Sequence, residues 1–87
     1  MERNKSKKRA EKEFNRFVKR HLLKPRNCRN IDQTKFYTYE LHKKIKELRL
    51  IYGYVPDRAH LMFTEYQNVH DRMVFKNFQA AYATQLC

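Results

Sequence analysis

The chain has 87 residues, enough for one domain with a thin hydrophobic core. One glycine and two prolines leave too few tight turns for a β-sheet protein, and the abundance of lysine, arginine, glutamate, leucine and alanine suits helices instead. The formal net charge is +11, from 20 basic and 9 acidic side chains. We therefore predict a single, strongly basic, all-α domain.

The positive charge is concentrated in the first third of the chain. Residues 1–30 carry twelve basic and three acidic side chains, a net charge of +9, whereas residues 31–87 carry eight and six, a net charge of +2. Such an asymmetry is typical of an electrostatic arm. Within one domain we therefore distinguish a basic arm with an N-terminal amphipathic helix, residues 1–30, from a helical hairpin, residues 31–87.

The first predicted helix runs from about Ser6 to Lys24. Its apolar and aromatic residues recur at intervals of three and four, which is the spacing of one helical face. This stripe comprises Ala10, Phe14, Phe17 and His21, with Val18 and Leu22 beside it. Because the residue before a proline disfavours the helical conformation, the helix should end before Pro25, and residues 25–31 should form a polar loop.

The second predicted helix, residues 33–52, is bounded by residues suited to helix ends. Asp32 is a good N-cap, and Gly53 stands where a left-handed residue commonly terminates a helix. The apolar stripe of this helix consists of Tyr37, Leu41, Ile45, Leu48 and Tyr52, and Phe36 and Ile51 widen it. Because residues 54–57 leave only a short connection, we predict an antiparallel hairpin with the segment that follows.

The third segment, from Pro56 or Asp57 to about Leu86, is helical by composition. As one straight helix of about thirty residues it would be roughly 45 Å long, whereas a compact globule of this size is roughly 30 Å across. The segment therefore either breaks near residues 68–71 or extends beyond the hairpin, and we favour the extension. The residues expected to contact another protein are Met62, Phe63, Tyr66, Met73, Phe75, Phe78 and Tyr82.

Charges on the second helix are arranged to compensate one another. Glu40 and Lys44, and likewise Lys43 and Glu47, are pairs of opposite sign at i, i+4 spacing. Each such pair stabilises a helix by a few tenths of a kcal/mol. These pairs therefore indicate an ordinary solvent-exposed helix face whose charges compensate one another.

The first helix instead carries a stripe of like charges on the side away from its apolar residues. Neighbouring bases repel one another, and only Lys7–Glu11 and Arg9–Glu13 are spaced to offset this. An anion alongside would stabilise such a helix, and phosphate backbones are the commonest polyanions. The predicted nucleic-acid-binding residues, on this helix and the following loop, are Lys5, Lys8, Arg9, Lys12, Arg16, Lys19, Arg20, Lys24, Arg26 and Arg29.

We expect RNA rather than DNA as the nucleic acid. No helix-turn-helix, homeodomain or zinc-finger spacing is present, and the helix most apt to dock is the N-terminal one. Phe36, Tyr37 and Tyr39 could stack on unpaired bases, although their helical spacing favours contacts within the hairpin. The first functional hypothesis is thus a small RNA-binding accessory protein, of the kind found in ribonucleoprotein particles.

The sequence contains no recognisable catalytic motif, and we predict neither an enzyme nor a metal or cofactor site. One glycine is too few for a phosphate-binding loop, and no C-x2-C or H-x3-5-H pair is present. Cys28 lies close to Arg26 and Arg29, whose charges could lower the pKa of its thiol. An incidental loop thiol is the simpler interpretation.

A second hypothesis belongs to a different class: a non-catalytic helical subunit or assembly factor that binds other protein subunits through the third helix. A third and less favoured one places the first helix on an anionic membrane surface. No apolar run is long enough to span a membrane, and the N-terminus lacks the apolar stretch of a secretory signal. Two cysteines indicate a reducing compartment, the cytoplasm or nucleus, with the mitochondrial matrix left open.

Overall fold

The computed structural model describes the backbone of residues 2–86 and the side chains of residues 5–78. It contains three α helices, α1 (Glu2–His21), α2 (Ile31–Tyr52) and α3 (Asp57–Leu86), with one turn of 3-10 helix at Pro25–Asn27 between the first two. Within residues 2–86 there is no β-strand. The predicted all-α fold with a helical hairpin is therefore confirmed.

The N-terminus of α2 is capped by Asn30 rather than by Asp32, so the predicted cap was wrong by two residues. Asn30 has an extended backbone, and its side-chain Oδ1 accepts a hydrogen bond of 2.8 Å from the backbone N–H of Gln33. The Gln33 side chain in turn accepts a bond of 2.7 Å from the backbone N–H of Arg29. Two backbone donors at the helix entrance are thus satisfied reciprocally, much as in a capping box.

The opposite end of α2 terminates as the sequence predicts. Gly53 adopts the left-handed conformation, with φ 64° and ψ 18°, and its N–H donates to the carbonyl of Arg49 over 2.9 Å. A residue with a Cβ atom would be strained in this conformation, which is why glycine suits the position. Pro56 then opens α3, and its carbonyl accepts the N–H of Ala59 at 3.0 Å.

One core cluster joins the three helices. Its buried members from α1 are Ala10 and Phe14; the remaining apolar members are Cys28, Leu41, Ile45, Leu48, Ala59, Met62 and Tyr66. Of the predicted α1 stripe, Phe17 and Val18 are only half-buried and His21 is exposed. The hairpin of α2 and α3 therefore supplies most of the core, and α1 packs on it through a short apolar face.

The segment between α1 and α2 is more than the polar loop predicted from its composition. Helix α1 ends at His21 rather than at Lys24, and Pro25 and Cys28 are buried against α3. The hydroxyl of Tyr66 donates a hydrogen bond to the carbonyl of Leu23. This contact fastens the turn to the middle of α3.

Helix α3 is a single unbroken helix of 30 residues that projects beyond the hairpin, as we expected. The molecule measures 65 × 19 × 15 Å and has a radius of gyration of 16.6 Å, compared with about 12 Å for a compact chain of this length. Residues 68–71 contain no helix breaker, and Val69 packs against the core. Asp71 lies 3.5 Å from the ring of His70 instead of capping a new helix.

Replacing Asn30 by alanine should lower the free energy of unfolding by about 1 kcal/mol, because the N–H of Gln33 loses its acceptor. For a chain of this size the melting temperature would fall by roughly 4–8 °C, measurable by circular dichroism. Asp32→Ala is the matched control, since Asp32 acts only through the helix dipole, an effect that salt screens. A larger loss at high salt from Asp32→Ala than from Asn30→Ala would contradict this assignment of the cap.

Candidate nucleic-acid interface

The basic side chains predicted to bind nucleic acid are all exposed at the surface. They lie along α1 and continue through the turn to the start of α2; in chain order they are Lys5, Lys8, Arg9, Lys12, Arg16, Lys19, Arg20, Lys24, Arg26 and Arg29. On α1 they occupy the side opposite the buried Ala10 and Phe14, which fixes them outward. We call the members on α1, residues 5–20, the basic stripe.

The acidic residues of α1 with described side chains make their closest polar contacts with the hairpin, although Glu13 also lines a groove with Arg16 and Arg20 of the basic stripe. Glu13 Oε1 lies 3.2 Å from Lys44 Nζ of α2, and Glu11 Oε1 accepts from the Tyr54 hydroxyl at 3.5 Å. The predicted relief by Lys7–Glu11 and Arg9–Glu13 is therefore wrong. Among residues 5–78, no predicted nucleic-acid-binding side chain lies within 4 Å of a carboxylate oxygen.

Glu13 is held in its ionised form by its surroundings. The pKa of its carboxyl is lowered first by the Tyr52 hydroxyl and then by Lys44, against the opposing effect of partial burial. The ammonium of Lys44 also lies 5.5 Å from the centre of the Phe17 ring. The nearby charge of Arg16 lowers the pKa further, so Glu13 is bound mainly to α2 and offsets the basic stripe only at Arg16.

Charges on the surface of α2 compensate one another, though with a different pairing from the one predicted. Lys43 lies 3.4 Å from Glu40, and Lys44 lies 3.5 Å from Glu47, both at i, i+3 spacing. The predicted i, i+4 partners do not meet, because Lys44 is drawn toward α1 by Glu13. Unmatched bases among residues 5–78 are thus most concentrated on α1 and the turn, although Lys35, Lys46 and Arg49 of α2 also lie without a carboxylate within 4 Å.

The turn after α1 brings its bases against α3 and adds basic residues that the sequence analysis missed. A groove of about 390 Å³ is lined by Arg26, Arg72 and Lys76. A second groove, of about 370 Å³, lies between Lys24, Arg26 and Arg58. The exposed acidic residue Glu65 lines both grooves, so the bases there outnumber a single carboxylate. Arg26 borders both grooves, so the turn and α3 form one patch, which we call the turn cluster. Its members are Lys24, Arg26, Arg29, Arg58, Arg72 and Lys76.

A sequence signal for part of the turn cluster was present. Arg72 and Lys76 are spaced i, i+4 and so share one side of α3. The sequence does not show that this side faces the turn, since that depends on how Pro25 and Cys28 pack. Arg58 is likewise placed by a tertiary contact, a 2.6 Å hydrogen bond from its guanidinium to Asn15 Oδ1.

Cys28 is a core residue rather than a reactive thiol. It is buried, and burial raises the pKa of its thiol, so the suggestion that Arg26 and Arg29 lower the pKa is wrong. Desolvation penalises the thiolate more than the two exposed guanidinium groups favour it. Its Sγ lies 3.9 Å from the carbonyl of Lys24, a weak hydrogen bond that helps hold the turn.

The three aromatic residues near the start of α2 have different environments. The ring of Tyr37 stacks on that of Tyr66 with a centroid separation of 6.3 Å, as expected of a contact within the hairpin. Phe36 and Tyr39, in contrast, leave 57% and 60% of their surface exposed. Helical spacing accounts for this difference, because Tyr37 lies on the apolar stripe of α2 and Phe36 and Tyr39 lie off it. The expectation that Phe36 widens the stripe is therefore wrong.

The predicted protein-contacting residues of α3 are also divided. Met62 and Tyr66 are buried in the hairpin core, and Phe63 and Met73 are half-buried. The exposed members with described side chains lie on the projecting part of the helix: Phe75, Phe78 and, in addition to those predicted, Val74. Tyr82 lies outside the described side chains.

Other kinds of site were sought in the described part of the chain. Among residues 5–78 no three His, Cys, Asp or Glu side chains converge as metal ligands would. No helix in the described region is sufficiently long and apolar to traverse a bilayer. Comparison with protein-family models, with curated proteins and with solved structures found no match to the chain.

The Glu13 contact predicts an acid sensitivity of the fold. Because the pKa of Glu13 is lowered in the folded state, its stabilising effect is present above about pH 4.3, the usual value for glutamate. It is lost as the pH falls through the lower folded-state value. Glu13→Gln should therefore be less stable than the wild type at pH 7, with the difference shrinking toward about pH 3, as urea unfolding at both pH values would show.

Glu47→Gln is the control for this experiment, because Glu47 contacts the same Lys44 but is more exposed and on the same helix. It should change the free energy of unfolding by only a few tenths of a kcal/mol at either pH. If Glu13→Gln behaved like Glu47→Gln, Glu13 would not anchor α1.

Proposed function

We propose that this protein binds RNA through the basic stripe and the turn cluster, by contacts to the phosphate backbone that tolerate different sequences. The observation that carries the proposal is the orientation of the charges on α1. The bases face outward without carboxylate partners among residues 5–78, while Glu11 and Glu13 are held on the side of the hairpin. A surface arranged in this way is suited to a polyanion.

The energetics support a ligand for this surface. Like charges at i, i+4 spacing each destabilise a helix by a few tenths of a kcal/mol, and the basic stripe has several. Lysines and arginines that meet phosphates release condensed counterions, which gives strong but salt-sensitive affinity. A negatively charged backbone would therefore stabilise α1 and gain affinity from the same contacts.

The shape of the surface favours RNA over DNA. The basic stripe lies on a convex helix face that is backed by the hairpin, and the turn cluster continues it around the end of α1. Major-groove readers generally present a recognition helix with side chains that reach base edges. Here the side chains of the stripe are lysines and arginines, whose long stems suit phosphates on an irregular, folded RNA.

The proposal predicts a large effect from four substitutions. Replacing Lys12, Arg16, Lys19 and Arg20 by glutamine should remove most of the affinity for RNA at low salt, since each loses a phosphate contact. Fluorescence anisotropy with single-stranded RNA, duplex DNA and anionic vesicles measures the change and separates the three ligand classes. The wild type should bind RNA with submicromolar affinity.

Two double variants that remove the same charge from different helices test whether RNA binding depends on where the basic residues lie. Lys12→Gln/Arg16→Gln and Lys46→Gln/Arg49→Gln each remove one lysine and one arginine from an exposed helix face. Only Lys12→Gln/Arg16→Gln should weaken RNA binding substantially. Equal effects would mean that net charge alone attracts the RNA, and wild-type binding by the fourfold variant would refute the proposed interface.

A second candidate function, a helical subunit of a larger protein complex, is favoured by one observation. On the projecting part of α3, Val74 and Phe75 leave 43% and 60% of their surface exposed, and Phe78 is exposed as well. Large exposed apolar side chains on one segment are typical of protein interfaces.

This candidate makes its own prediction. A photo-crosslinking amino acid at position 75 should attach reproducibly to one protein in cells, because that position would be covered by the partner. The same amino acid at the exposed position 46 is the control and should not. If neither position yields a defined protein adduct, the exposed residues of α3 do not form a stable protein interface.

A further inference from the structure

The outward face of α2 carries two aromatic side chains that are largely exposed to solvent. Phe36 and Tyr39 are separated by one helical turn, and each leaves more than half of its surface in solvent. Residues at i, i+3 have Cβ atoms about 5–6 Å apart, so the two rings share one patch. Exposing two aromatic side chains side by side costs free energy that a bound ligand would recover.

The patch is anchored in the core. The ring of Phe36 meets that of Tyr37 edge-on, with centroids 5.2 Å apart and an angle of 78° between the planes. Tyr37 in turn stacks on the fully buried Tyr66. This chain of rings restrains Phe36, which lowers the entropic cost of binding a planar ligand there.

Both basic and acidic side chains border the aromatic pair, since Asp32 and Glu40 lie one helical turn before and after Phe36. Lys43 Nζ lies 5.1 Å from the centre of the Tyr39 ring, and Lys35 is exposed next to Phe36. Glu40, the acidic residue between them, is engaged by Lys43 at 3.4 Å. Aromatic faces interleaved with lysines are the arrangement that binds unpaired nucleotides, because bases stack while phosphates meet the cations.

The aromatic pair also adjoins the turn cluster. Gln33 precedes Phe36 by three residues, about 4.5 Å along the helix axis. Gln33 lines a groove together with Arg26 and Arg29, and its side chain accepts the N–H of Arg29 at 2.7 Å. A nucleic-acid backbone held at the turn cluster therefore lies within one helical turn of Phe36.

We infer that Phe36 and Tyr39 form a stacking platform for unpaired bases, so that the ligand of this protein is single-stranded RNA rather than duplex. The inference rests on the proposed RNA-binding function and specifies its ligand. In a duplex the faces of the bases are covered by their neighbours, and only a single strand can place them on protein rings.

The experiment compares two RNAs of about 12 nucleotides, within the usual range for such sites, one an unstructured single strand and the other a duplex. Their affinities are measured for the full chain and for Phe36→Ala/Tyr39→Ala. Because two stacking contacts are lost, the affinity for the single strand should fall at least about thirtyfold. The affinity for the duplex should stay within about twofold, and the dependence of log K on log salt should not change, because no phosphate contact is lost.

Leu50→Ala/Ile51→Ala is the matched control, since it also removes two exposed apolar side chains from α2 without altering charge; Leu50 is 87% exposed. It should bind both RNAs as the wild type does. Phe36→Tyr/Tyr39→Phe keeps both rings and should retain binding. All these positions are exposed, and equal melting temperatures would show that the fold is intact.

Several outcomes would overturn the inference. If Phe36→Ala/Tyr39→Ala binds the single strand like the wild type, or loses the two RNAs equally, the aromatic pair is not a stacking platform and is better explained as a contact for a protein. The proposed function would survive that result, provided that substitutions in the basic stripe still weaken binding. If the wild type binds neither RNA, the proposed function and this inference both fail.

Discussion

Burial of Ala10 and Phe14 against the hairpin determines which way the charges of α1 face. Lys44 of α2 and Glu13 of α1 add a contact at 3.2 Å, and the Tyr52 hydroxyl helps to lower the pKa of Glu13. Burial of Phe14, worth about 1.5–3 kcal/mol, holds α1 against the hairpin more strongly than a partly exposed ion pair, which is worth about 1 kcal/mol or less. Phe14 therefore provides the attachment and, with Ala10, sets the rotation of the helix that leaves the basic stripe outward, while Glu13 adds a weaker contact.

The length of α3 determines the rest of the surface. The helix is longer than the hairpin requires, so its end projects. Residues 22–29 pack against the middle of the helix. The hydrogen bond from Tyr66 to Leu23 holds the turn in that position. Arg26 is thereby brought to Arg72 and Lys76, which extends the positive surface beyond α1. The same attachment places Arg26 and Arg29 beside Gln33, one helical turn before Phe36.

Features that depend on local sequence could be predicted, and features that depend on tertiary contacts could not. Gly53 and the unbroken α3 follow from residue type and spacing alone. The cap of α2 was misplaced because Asn30 and Asp32 are both good cap residues, and Gln33 selects between them through its own hydrogen bonds. The partner of Glu13 lies 31 residues away on another helix, beyond any helical periodicity.

Only the part of the candidate site that depends on local sequence could be predicted. Ten bases on one face of a helix and its loop are visible in the sequence, but the contribution of α3 is not. The spacing of Phe36, Tyr37 and Tyr39 places Tyr37 on the apolar stripe, but it does not show that this ring stacks on Tyr66. The sequence therefore indicates the charge of the ligand, and the fold adds the turn cluster and the aromatic pair.

The most direct test of this account is the salt dependence of binding between the wild-type protein and single-stranded RNA. Each phosphate contact contributes about −0.7 to the slope of log K against log salt, so on the order of four or five contacts predict a slope of about −3. Such a slope would show that the outward-facing bases of α1 and the turn meet the RNA backbone. A slope near zero, or the absence of binding at low salt, would contradict the central claim that the unpaired charge of α1 is a nucleic-acid-binding surface.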